Sequence, residues 1–130
     1  MWFLNTDNPE AIQRLYDNQD GLERVELHEV VLQRDGPRLQ LRFDLPRFPD
    51  HPPARWHPES NTVQVTLDLW GIEDLTLTGW GTHDVGELRL TRSNSTQHVA
   101  FEGAITRLTA RFSIARVAKL SEYTNGNHDG

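Results

Sequence analysis

The spacing of apolar residues changes near residue 22. Before it, Ile12, Leu15 and Tyr16 recur at intervals of three and four, the period of one helical face. Asn8, a good capping residue, and Pro9, a first-turn proline, stand in front of them, and Gln19-Asp20-Gly21 closes the segment. The pattern predicts one short helix over residues 9–17, too short to hold without tertiary packing. From Leu22 the period falls to two. Val25 and Leu27 alternate with Glu26 and His28, and Val30 and Leu32 then continue on the opposite parity. A parity switch inside one strand predicts a β-bulge. Asp35-Gly36, between two alternating runs, marks a hairpin that Pro37 lengthens.

The alternation then repeats along the chain. Leu39, Leu41, Phe43 and Leu45 point one way; Val63, Val65, Leu67 and Leu69 do the same after residue 62. Leu75 and Leu77, Leu88 and Leu90, Val99 and Phe101, and a last run through Leu108, Ala110, Phe112 and Ile114 complete the set, with Ser93-Asn94-Ser95 as a turn. Between residues 46 and 60, five prolines remove ladder donors and fix φ, so this stretch is a long, stiffened loop. Long loops in compact domains often carry function. One-faced alternation is the mark of an antiparallel sheet, and one short helix cannot cover seven strands. The expected fold is α+β: a predominantly antiparallel, strongly curled sheet of about seven strands with one short N-terminal helix. Residues 1–120 form a single domain on this reading, and the polar residues 121–130 a flexible tail.

Composition narrows the function. A chain of 130 residues has the size of one domain. It has no cysteine, which excludes disulfides, zinc–thiolate sites and thiol nucleophiles. No apolar run is long enough to span a bilayer and the N-terminus lacks a signal-peptide pattern, so a cytoplasmic protein with no membrane contact is expected. The net charge is −6, and residues 1–35 carry −5 of it, with eight acids and three arginines. A nucleic-acid binder needs the opposite sign. The bases Arg107, Arg111, Arg116 and Lys119 read as a solvated strand face.

Catalytic chemistry is hard to find. His51 and His57 share the proline loop with Asp50 and Glu59, but no tight metal-ligand spacing is present, and no metal or cofactor is expected. No nucleophile elbow exists. Asp68, Glu73 and Asp74 suggest at most an acid/base group, and solvation on a strand face and in a turn accounts for them. The tryptophans say more. Trp2 and Trp70 suit plugs at the ends of the sheet, whereas Trp80 has the parity of Thr76 and Thr78 on the polar face, and Trp56 follows Arg55 in the proline loop. Tryptophan and arginine are enriched at binding hot spots. Asp17, Asp20 and Glu23 precede the first strand, and Glu26 is expected to be exposed on it, so these four carboxylates suggest one acidic patch. Partner contacts are therefore expected at Asp17, Asp20, Glu23, Glu26, Arg55, Trp56 and Trp80.

The order of landmarks is also informative. Trp2 is followed by Asn8-Pro9 opening a helix that ends in Leu15-Tyr16. An acidic first strand, the Pro52-Pro53-x-x-Trp56 loop, Asn61 opening a strand and Gly79-Trp80 closing another come next. Over residues 1–120 this resembles the immunity protein 50 family of bacterial polymorphic toxin systems. The resemblance implies a small cytoplasmic protein that binds and neutralises a cognate protein toxin, with no catalytic residues of its own. The alternative is a small-molecule or carbohydrate-binding β module that stacks its ligand on Trp56 or Trp80.

Overall fold

The computed structural model describes residues 2–16, 22–82 and 84–124. A 3-10 turn, Trp2–Asn5, and a four-residue helix α1, Glu10–Gln13, lead into eight strands. These are β1 (Leu22–Gln33), β2 (Arg38–Asp44), β3 (Thr62–Trp70), β4 (Glu73–Thr78), β5 (Asp84–Ser93), β6 (Thr96–Gly103), β7 (Arg107–Phe112) and β8 (Ile114–Tyr123). They form one sheet, every pair antiparallel, in the order β4-β7-β6-β5-β1-β2-β3-β8.

Most of the alternating apolar residues make the core as their period requires, but Leu32, near the end of β1, and Leu75, on the edge strand β4, stay exposed. Leu39, Leu41 and Phe43 of β2 lie opposite Leu69, Leu67 and Val65 of β3, and all six are fully buried. Ile12 and Trp2 cap this layer from the N-terminal segment, the Trp2 ring meeting Phe43 edge-on at 6.3 Å. The bulge foreseen in β1 is present: Leu27 pairs with Phe43 and Glu29 with Arg42, so His28 is the extra residue. It restores Val30 to the apolar parity, opposite Leu41.

The sheet is open, with β4 and β8 at its edges. Yet the chain joins its two ends. β3 runs into β4 through Gly71-Ile72, and β7 into β8 through Ser113 alone. Trp70 pairs with Ile114 on one side of this corner and Glu73 with Arg111 on the other. The Ser113 N–H donates to the Trp70 carbonyl at 2.8 Å. Gly71 takes φ +70°, and a Cβ there would meet the Ser113 Oγ at 2.5 Å, so the corner needs glycine.

Four expectations change. The last apolar run is two strands, making eight, because Phe112 and Ala115 are buried while Ile114 between them is half exposed. Residues 121–123 belong to β8, where Ser121, Glu122 and Tyr123 pair with Gln64, Val63 and Thr62; residues 125–130 lie outside the described residues. Helix α1 is only one turn, and Asn8 does not cap it by its side chain. Its buried amide instead donates to the Val117 carbonyl and accepts from the Val117 N–H, each at 2.9 Å, serving the open edge of β8 as a neighbouring strand would. Finally, Trp70 is 37 % exposed rather than a plug, with the Arg38 guanidinium stacked over its ring.

Candidate functional site

After β4 the chain turns through Gly79-Trp80-Gly81. Gly79 has φ +78°, and a Cβ on it would lie 1.9 Å from the Ile105 carbonyl oxygen. Glycine therefore lets this turn press against the β6–β7 loop. That loop is held by Asp84, the first residue of β5. Its Oδ1 accepts from Ala104 N–H at 3.1 Å, and its Oδ2 accepts from Ile105 and Thr106 N–H at 2.9 and 2.7 Å. Desolvation works to raise the Asp84 pKa, but the backbone donors of Thr106, Ile105, Ala104 and Val85 outweigh it and hold the carboxyl below its ordinary value.

The result is a display of exposed apolar side chains. Trp80 is 68 % exposed and Ile105 beside it 50 %. A small recess of about 30 Å³ at the foot of Trp80 is lined by His28, Glu29, Val30 and Asp84 among others. Strand pairing sets Glu26 opposite Val85, itself exposed, and Leu27 opposite Asp84. An aromatic–aliphatic pair thus stands beside the acidic bulge of β1.

Glu26 is half-buried rather than exposed, because the bulge swings His28 over the outer face beside it. The His28 Nε2 lies 3.9 Å from the Glu26 carboxylate and 2.9 Å from Asp44 Oδ2. Asp44, buried, also accepts from the Tyr123 hydroxyl and, at 3.1 Å, from the Gln64 amide. Glu26, His28 and Asp44 offer ligand atoms within 4.8 Å of one another, the one such group among the described residues. Asp44 already has three donors, so a cation would have to displace His28 or Tyr123; the group reads as a structural network.

Arg55 and Trp56 lie elsewhere, on the proline loop. This loop is fastened to the end of the helical segment. The Tyr16 hydroxyl donates to the Arg47 carbonyl at 2.6 Å, His51 N–H donates to the Leu15 carbonyl at 2.9 Å, and the Arg47 guanidinium covers the Tyr16 ring. Burial pushes the Tyr16 phenol well above its ordinary pKa, although Arg47 pulls the other way. Trp56 is half-buried and packs edge-on against Phe48 at 6.1 Å.

The residues singled out in the sequence therefore separate. Trp80 lies across a recess from His28 and Glu29, while Glu26 lies opposite Val85; Glu23 is exposed at the start of β1; Arg55 and Trp56 form a second place; Asp17 and Asp20 lie outside the described residues. The suggested acid/base group does not assemble. Asp68 is buried at 8 % exposure rather than solvated, bound by the Gln40 amide at 2.8 Å, while Glu73 and Asp74 both pair with Arg111. Asp84, which holds the display together, carried no signal in the sequence beyond its place between a G-x-G turn and a strand.

The described residues thus form an antiparallel β domain that exposes an aromatic side chain, Trp80, near Glu29. The model of the family described as Immunity protein 50 matches residues 8–123, and the chain belongs to that family. No curated protein and no solved structure matches it. Among the described residues, no helix is long and apolar enough to cross a membrane.

Proposed function

We propose that this protein is an immunity protein that binds a cognate protein toxin and neutralises it by contact alone, in the cytoplasm of the cell that makes it. Family membership supports the class. The observation that carries the choice of surface is Trp80, 68 % exposed in a turn that Gly79 lets press against the β6–β7 loop bound by Asp84. A pre-ordered aromatic loses little entropy on binding and suits a hot spot. Glu29 beside it, with Glu26 on the same strand, favours a partner whose contact face is basic, and such complementarity speeds association at low salt. The drawing together of the two sheet ends at Gly71 and Ser113 supports a strongly curled sheet, which leaves the loops at its rim as the contact elements.

The test pairs this protein with the toxin domain encoded beside its gene. Survival of cells expressing the toxin, and the association rate across ionic strength, are measured for the native chain, Trp80→Ala and Glu26→Gln/Glu29→Gln. The reading expects protection by the native chain, its loss or weakening with Trp80→Ala, and slower association with the double variant. Full protection by all three would move the contact off this surface.

A further inference from the structure

The proline loop, helix α1 and β8 enclose a second cavity, of about 250 Å³, away from the Trp80 display. Its apolar side is made by Leu15, Trp56 and Leu120, and its cationic groups are Arg14 and Arg55, with His51 beside them. Among the described residues that line it there is no carboxylate. Neither Arg14 nor Arg55 has an ion-pair partner among the described residues. Most of the chain's other arginines do meet acids, among them Arg47 with Asp50, Arg89 with Glu87, Arg111 with Glu73 and Asp74, and Arg116 with Asp7, whereas Arg24, Arg34 and Arg92, like this pair, do not among the described residues.

We infer that this cavity is a binding site for a small organic carboxylate with an aromatic or branched apolar body. The apolar groups take the body and the guanidinium groups take the carboxylate, which matches the planar fork of arginine. The volume has room for roughly eight waters, or a ligand of about a dozen non-hydrogen atoms. Pre-organisation supports the assignment. The Tyr16–Arg47 and Leu15–His51 hydrogen bonds and the Phe48–Trp56 contact fix the walls without a ligand, so binding costs little ordering. The site is independent of the toxin-binding reading.

The probe is hydrocinnamate, titrated into the ¹⁵N-labelled full chain while the Trp56 indole N–H resonance is followed. Its amide, hydrocinnamamide, keeps the shape and removes the charge, and inorganic phosphate keeps the charge and removes the body. Saturable shifts centred on Trp56 are expected with the acid, with affinity about tenfold weaker for the amide and for phosphate. Arg14→Gln and Arg55→Gln, both at exposed positions, should each weaken the acid several-fold and leave the amide unchanged. Equal affinity for acid and amide, binding of phosphate as tight as the acid, insensitivity to both arginine variants, or shifts centred on Trp80 would each overturn the inference. Because the readout needs no toxin, its failure is separate from failure of the toxin-binding reading.

Discussion

Asp84 offers the sharpest test of how the proposed contact surface is built. In Asp84→Ala three backbone N–H groups lose a charged acceptor. Thr106 is buried, so its N–H is left without water, at a cost of about 2 kcal/mol. Ala104 and Ile105 are exposed, and their N–H groups can turn to solvent for about 0.5 kcal/mol each. The total is about 3 kcal/mol, or roughly 12 °C in Tm at ~4 °C per kcal/mol for a domain of this size. Asp84→Asn keeps the shape and one acceptor but turns an amide donor toward a backbone donor, costing about 2 kcal/mol. The pH dependence has a definite sign. The folded pKa lies below the unfolded one, so the carboxylate's contribution is complete above the ordinary carboxyl range and is lost as pH falls through the folded value. Urea unfolding of the native chain and Asp84→Asn, at neutral pH and in steps into acid, should show a stability gap that narrows as the pH drops. A gap below about 0.5 kcal/mol at neutral pH, or one indifferent to pH, would refute this account.

The other predictions are briefer. Trp80→Ala should cost about 2 kcal/mol or more in toxin affinity while moving the unfolding midpoint little, because the ring is mostly exposed; calorimetry and urea unfolding on one variant check both. Trp56→Ala should lose about 2 kcal/mol of stability, less than a fully buried tryptophan would, since half of its ring packs on Phe48. Asn8→Ala leaves the Val117 N–H and carbonyl without partners and should cost about 2–3 kcal/mol, with faster hydrogen exchange at the Val117 amide as the specific sign. Thermal unfolding with and without a chelator should give the same midpoint, since Asp44 is satisfied by His28, Gln64 and Tyr123; a large drop with chelator would make Glu26, His28 and Asp44 a metal site.

Most of the strands were legible because each buries one face. Even the bulge at His28 was written in the parity of Val25, Leu27, Val30 and Leu32. The corner at Ser113 left the same kind of trace, a parity change between Phe112 and Ala115, but with a strand on each side it read as one continuous run. The site was legible by residue type and not by arrangement. Trp80 announced itself by standing on a polar face. Its approach to His28 and Glu29 depends on β5 lying beside β1, a pairing between segments nearly 60 positions apart that local alternation does not encode. Asp84 was silent because its three partners are backbone groups, which leave no mark in side-chain identity. Asn8 misled for a related reason: the same amide that can cap a helix can also satisfy a strand edge.

The bond between Asn8 and Val117 joins positions 109 residues apart, and β8 is completed only at Tyr123. On the ribosome, the first residues emerge long before the strand edge they serve. Helix α1, a single turn, packs only as the strands of its core are made, and β3 waits for β8 to cover its far side. The sheet cannot be completed until β8 has been made, and non-local sheets of this kind form slowly. On the proposed toxin-binding function, a cell that meets an incoming toxin is guarded by the copies whose sheet is already complete, and new synthesis adds to that reserve only after a delay.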